Sequence, residues 1–206
     1  MNTIKKTRSM VMVSAISAII IIMAFVPFLG YIPLGFMNAT IIHIPVIIGA
    51  ILLGPKEGAF LGLVFGLTSL WKNTFMPNPT SFVFSPFVSM GGYSGNYKSL
   101  LICLVPRILI GIVAYYVYRA ILKAGKSKNA ALICGGIAGS MTNTLLVMNL
   151  IYFLFGSSYA EASNQILKGL YKVIAGVICM QGIPEAIVAG ILTLAIGRVL
   201  MKIKAE

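Results

Sequence analysis

The sequence predicts an all-α integral membrane protein, a compact bundle of six transmembrane helices with both ends of the chain in the cytoplasm. Three observations carry this. Hydrophobic residues make up 59% of the 206 positions and charged residues 10%, a balance foreign to ordinary soluble domains. Six apolar stretches fill nearly the whole chain, and a bilayer core needs roughly 20 such residues per helical span. Cations concentrate on alternate breaks between the stretches, as the positive-inside rule requires.

Each span follows from its borders. The first, 10–29, begins after Lys5, Lys6 and Arg8. Its apolar run is too long for a signal-peptide core and no small-residue cleavage site follows, so it is expected to be a retained helix. The second, 36–53, lies between Gly30-Tyr31-Ile32-Pro33-Leu34-Gly35 and the turn Gly54-Pro55-Lys56. Gly and Pro mark such breaks because they end helices or permit unusual backbone angles. The third, 57–71, is short, and the fourth, 99–122, ends at the basic run Lys123 to Lys128. The fifth and sixth, 129–155 and 173–200, are long enough to tilt, with a polar loop at 156–172 between them. The whole of 1–206 reads as one membrane domain. The connection 72–98 is long yet keeps Phe82, Phe84, Phe87 and Tyr93, which suits a lid over a site better than a solvated tether.

Orientation comes from the sixteen Lys and Arg residues. With the N-terminus inside, eleven fall on the cytoplasmic side, four (Lys72, Lys98, Lys168, Lys172) fall outside, and Arg107 lies within a span. The net charge of +12 is thus accounted for by topology and anionic membrane lipid, with no need of nucleic acid.

Several chemistries are excluded. No phosphate-binding Gly-x-x-x-x-Gly-Lys-Ser/Thr loop occurs, so any uphill movement of solute draws on a partner or an ion gradient. One histidine and no aspartate rule out Ser-His-Asp and metalloprotease arrangements. The three cysteines fall within spans, without metal spacing, and read as small buried apolar residues. No cofactor spacing is present.

Gly54, Gly58, Gly62 and Gly66 recur every four residues and so share one helix face. Such a face admits a close helix, either from within this chain or from a separate membrane subunit. Ser14 and Ala18 form a small-x-x-x-small pair open to the same two readings. Arg107 and Glu185 lie deep in spans four and six, at depths that differ by roughly 6 Å at 1.5 Å per residue. Buried charges are costly in a bilayer, so both are expected to face the bundle interior. They either pair with each other, or Arg107 reads an anionic ligand group that Glu185 orients. Asn38, Thr40 and His43 in helix two, Asn143, Asn149 and Tyr152 in helix five, and Gln181 one turn before Glu185 add up to an outward-facing polar pocket. His43 taken alone also suits an interhelical hydrogen bond.

The block Gly35-Phe36-Met37-Asn38-Ala39-Thr40-Ile41-Ile42-His43-Ile44-Pro45-Val46-Ile47-Ile48-Gly49-Ala50, continuing through Leu53–Ala59 and Gly62–Leu70, resembles the second helix and its sequel in S components of energy-coupling factor (ECF) vitamin transporters. Pro106-Arg107-Ile108-Leu109-Ile110-Gly111 and Ile183-Pro184-Glu185-Ala186-Ile187 are similar to that family's fourth- and sixth-helix patterns. The resemblance implies a six-helix subunit in a bacterial cell membrane that binds one water-soluble vitamin near the outer face. It further implies a transmembrane scaffold subunit and two cytoplasmic ATPases as partners. In the family an Ala-x-x-x-Ala pair on helix one touches the scaffold; here the place reads Ser14-x-x-x-Ala18, keeping small residues but departing at the first. With it, Gly58, Gly62 and Gly66 are expected at the partner interface. The helix-two pattern is most like pantothenate or riboflavin members, with pantothenate favoured. A carboxylate ligand would use Arg107 or Lys72 through charge-assisted hydrogen bonds, whereas a flavin ring would need flat walls such as Trp71. A self-sufficient ion-coupled transporter and a membrane enzyme using Glu185 as a base are the alternatives.

Overall fold

The computed structural model describes residues 2–26, 29–33, 38–90, 92–162 and 169–205, and the side chains of all these but 2–5, 31–33, 38–39, 90, 162 and 204–205. The elements run α1 (Asn2–Phe25), β1 (Tyr31–Pro33), β2 (Asn38–Thr40), α2 (His43–Leu53), α3 (Pro55–Phe75), a 3-10 turn (Ser81–Val83), β3 (Ser89–Met90), β4 (Tyr93–Ser94), α4 (Tyr97–Lys123), α5 (Lys128–Ala162), α6 (Leu170–Val177), a π turn (Ile178–Gly182) and α7 (Ile183–Ala205). Since α6, the π turn and α7 are continuous, the described residues make six helical rods. Four of the rods are long and apolar enough to cross a membrane.

The second span is where the sequence reading needs correction. Residues Asn38–Thr40 are not helical but pair antiparallel with Tyr31–Pro33, Thr40 opposite Tyr31. The helix begins only at His43 because Pro45 stands in its first turn, and a proline ring clashes with the carbonyl four residues before it. Eleven residues make roughly 16 Å of helix, about half a bilayer. The third helix is instead longer than expected. It starts with Pro55 at its first position, where the missing N–H costs nothing, and runs 21 residues. Glu57, Lys72 and Asn73 make its ends polar, so it is long enough to span without being among the four helices that are both long and apolar enough to do so.

Helix α5 leaves helical angles at Phe155 (φ −134°, ψ 18°), where the fifth span was expected to end, then resumes to Ala162. The first residues of the expected polar loop are therefore helical. Lys168, assigned to the outer side, lies outside the described residues.

Helices α3 and α4 pack closely, and glycine is the reason. A Cβ on Gly62 would run into the backbone of Arg107 and Ile108; one on Gly58 would meet Ala50 and Gly111; one on Gly66 would meet Leu104. Such close approach lets van der Waals contact between backbones hold the helices together in lipid. The face of Gly58, Gly62 and Gly66 is thus filled by this chain's own α4 and α2, which corrects its expected place at a partner interface. Ser14 and Ala18 remain exposed on α1, beside Val11, Ile19 and Ile22. Of the cysteines, only Cys103 is buried, its thiol 3.4 Å from the Gly66 carbonyl; Cys179 is exposed.

Candidate ligand-binding site

A proline precedes each of the two buried charges, and in both places it shapes the site. Pro106 interrupts α4 and has no N–H for the carbonyl of Ile102. The Arg107 guanidinium takes the proton's place, Nη1 donating to Ile102 O at 2.7 Å. The guanidinium also lies against two rings, 5.7 Å from the centroid of Phe65 and 5.3 Å from that of Phe84, within cation–π range. Its buried Nε has no hydrogen-bond partner among the described residues. Arg107 is thus steered by one bond and two rings while donors remain for something else.

In the last rod, Pro184 has no N–H for the carbonyl of Met180, and the π turn Ile178–Gly182 ends one residue short of it. This sets Gln181 above Glu185, and Gln181 Nε2 donates to Glu185 Oε1 at 3.1 Å. The backbone N–H of Thr40, at the end of the β1–β2 hairpin, donates to the same oxygen at 2.6 Å. No ion pair joins Arg107 to Glu185 among the described residues; each charge has other neighbours.

Between these charges lies a cavity of about 210 Å³. Thr40, Lys72, Arg107, Asn143, Gln181 and Glu185 all line it, so six of the eleven residues expected to bind ligand share one space. Asn143 is buried, and its Oδ1 has no partner among the described residues. The apolar part of the wall comes from Val147, Met148 and Ile151 on α5, with Met76 and Phe84 after α3.

The segment after α3 does cover this space. Asn78, Thr80 and Phe84 line the cavity. The Ser81 hydroxyl lies 2.8 Å from Asn73 Oδ1 and 2.9 Å from Asn78 Oδ1, and Ser85 meets Thr74 at 2.8 Å. Ser99 Oγ donates to Phe82 O at 2.8 Å, fastening the segment to α4 as well. Further out, the Tyr93 hydroxyl donates to Glu161 Oε2 at 2.8 Å; that bond raises the phenol above its ordinary range.

Four expected residues lie elsewhere. Trp71 is turned outward, stacked edge-on with Phe25 at 4.7 Å and near Phe75 at 4.9 Å. His43 is buried at the start of α2 without lining the cavity. Asn149 returns its side chain to Leu145 O at 2.7 Å. Tyr152 packs on Tyr171, with ring centroids 5.2 Å apart, over the Leu170 and Ile174 cluster. The side chain of Asn38 lies outside the described residues.

A family model for the ECF transporter, substrate-specific component, matches residues 8–197. The chain belongs to that family. This S component is 40% identical over 167 residues to the pantothenic acid transporter PanT of Lactococcus lactis subsp. cremoris, covering 81% of this chain and 79% of that one. It is 31% identical over 207 aligned residues to the pantothenate transporter PanT of Leuconostoc mesenteroides, covering 96% and 94%. Its fold is similar to a crystal structure of the S component for biotin from an ECF-type ABC transporter, with TM-score 0.62 and 20% identity over 98% of this chain and 95% of that one. The S component is accordingly a multi-pass membrane protein, mostly helical, with a fold similar to that of a solved S component.

Proposed function

We propose that this S component captures pantothenate and hands it to an ECF module for ATP-driven uptake. The observation that carries the reading is the joining of two cations, Lys72 and Arg107, with neutral amides and hydroxyls around one cavity of about 210 Å³. Pantothenate carries a carboxylate, an amide, two hydroxyls and a pair of methyl groups. Arg107, with donors to spare, suits the carboxylate, since charge-assisted bonds from arginine are the strongest such contacts. Val147 and Ile151 offer the methyl groups an apolar wall. The two relatives named for pantothenate support the same ligand; neither supports riboflavin, the other expectation.

No nucleotide-binding loop exists in the sequence, so coupling to ATP falls to a scaffold subunit and two ATPases. The exposed Ser14 and Ala18 face of α1 is the surface for the scaffold, where small residues permit close approach. The bias of basic residues puts both termini in the cytoplasm and the cavity near the outer face.

Calorimetric titration of the detergent-purified protein tests the ligand. Pantothenate should bind, and at 100 times its dissociation constant it should add about 2.7 kcal/mol of stability. Absence of binding would sink the reading. Copurification with the scaffold should be lost on Ala18→Trp, and proteoliposomes holding this chain alone should show no pantothenate uptake; gradient-driven uptake there would favour the ion-coupled alternative.

A further inference from the structure

Resting on the pantothenate reading, we infer that Glu185 is a specificity residue. It accepts the hydroxyl end of the ligand and shuts out any relative carrying a second negative charge there, while Arg107 holds the carboxylate at the other end. The side chains lining the cavity include two cations, Lys72 and Arg107, and one carboxylate, Glu185. Had the site evolved only to attract anions, that carboxylate would oppose its purpose. It is not neutralised by Arg107, and its placement is built rather than incidental. One of its oxygens is held by two N–H groups from different parts of the chain, Thr40 at 2.6 Å and Gln181 at 3.1 Å.

A carboxylate so held can only accept, and a ligand group facing it must donate. Of the groups on pantothenate, the hydroxyls and the amide N–H donate, whereas the carboxylate does not. The ligand therefore lies with its acid toward Arg107 and its hydroxyls toward Glu185. The count of charges agrees: among the described residues lining the cavity, two cations and one carboxylate leave a single positive charge, which a monoanion balances. A phosphate ester on the primary hydroxyl would bring about two more negative charges against the buried Glu185, and like charges in contact cost several kcal/mol. The class of ligand is then a monoanion with hydroxyl donors at its far end. The subunit takes the free vitamin and refuses its phosphorylated form.

The test compares three ligands on the full-length protein in detergent by calorimetry. They are pantothenate, its phosphate monoester at the primary hydroxyl, and pantothenol, in which an alcohol replaces the carboxylate. On the unaltered protein the phosphate ester should bind at least ~100-fold more weakly than pantothenate. Comparable affinities would overturn the inference without any variant being made. In Glu185→Gln, which keeps the shape and one acceptor, the ratio between the two should fall by at least ~10-fold, even if pantothenate itself binds less well. A ratio unchanged in that variant would make Glu185 a structural residue and also overturn it. Arg107→Gln should narrow the gap between pantothenate and pantothenol but leave the phosphate ester excluded; loss of that exclusion would count against the two-ended arrangement. Failure of pantothenate to bind the unaltered protein would remove the pantothenate reading itself, and the inference with it.

Discussion

Pro106-Arg107 in α4 and Pro184-Glu185 in the last rod are the same device, a proline just before a buried charge, resolved in opposite ways. In α4 the helix keeps its shape and the charged side chain itself serves the carbonyl that proline orphans, at 2.7 Å from Ile102 O. In the last rod the helix widens into a π turn, and the charged side chain is left to be served by others. An arginine can do the first because it has five donors and can spare one. A glutamate cannot, since a carboxylate has nothing to give a carbonyl. The sign of the charge after the proline thus goes with the distortion of the helix. It also decides what each residue offers a ligand: a donor held firmly on α4, an acceptor tied to the hairpin on α7.

The sharpest way to break the comparison is to remove the arginine. Arg107→Ala takes away the cation expected to hold the ligand carboxylate and leaves Ile102 O without a partner that Pro106 could replace. Pantothenate binding should fall by about 2–5 kcal/mol, measured as a rise in dissociation constant by calorimetry. Thermal unfolding should shift down as well. Arg107→Lys should recover only part of either, because an ammonium lacks the planar fork.

Next comes the glycine on which the arginine turn rests. Gly62→Ala would drive a methyl group into the backbone of Arg107 and to about 2.9 Å from Ile108 Cα, atoms that cannot rotate away. The expected cost is about 1–3 kcal/mol in stability, with weaker pantothenate binding because the arginine turn moves. Unfolding in denaturant with and without ligand separates the two effects.

Removing each proline then tests the cause of the difference. Pro184→Ala restores an N–H for Met180 O, and the π turn should relax toward α-helix. Gln181 and Glu185 would rotate with it, so binding should weaken about tenfold, near 1.4 kcal/mol, while thermal stability holds or rises. Pro106→Ala should do less, since Ile102 O is already bonded and Arg107 need only share it. Equal effects of the two substitutions on affinity would refute the account of the two prolines.

These features differ in how far sequence exposes them. Arg107 and Glu185 could be read from cost alone, since charges deep in apolar spans must face something polar. Asn143 and Gln181 were expected as polar residues within spans and Lys72 as a cation for a carboxylate ligand, and the family block around Gly35–Leu70 suggested the fold. What failed was angular. Trp71 is adjacent to Lys72, but successive helical residues point about 100° apart, so one faces the cavity while the other joins Phe25 outside. Asn149 and Tyr152 were expected from polarity, yet the face of α5 at the cavity is built on the four-residue stripe Asn143, Val147, Ile151, with Thr144, Met148 and Tyr159 beside it. That stripe was available to a reading by period rather than by polarity. The glycine face was legible as a close contact, though its partner was not, because spacing alone cannot say which helix arrives. Asn38–Thr40 escaped because an apolar run reads as helix until the effect of Pro45 on its start is weighed.

The smallest expected effect lies at Gly182, the counterpart of Gly62 in the other turn. A Cβ there would come 2.9 Å from Thr144 Cγ2 and 3.5 Å from its Cβ, atoms of a side chain and not of a backbone. Thr144 has another rotamer to move to, at the cost of a long 3.5 Å bond from its hydroxyl to Ser140 O. Replacing glycine within a helical rod also lowers the entropy of the unfolded chain, which gains roughly 0.4–1 kcal/mol. The two contributions nearly cancel, so Gly182→Ala should change stability by less than about 1 kcal/mol in the same denaturant titration. A cost matching that of Gly62→Ala would mean the widened turn is as rigidly seated as the arginine turn. In that case the π turn is held from outside by its packing, and the missing N–H of Pro184 is not its main cause.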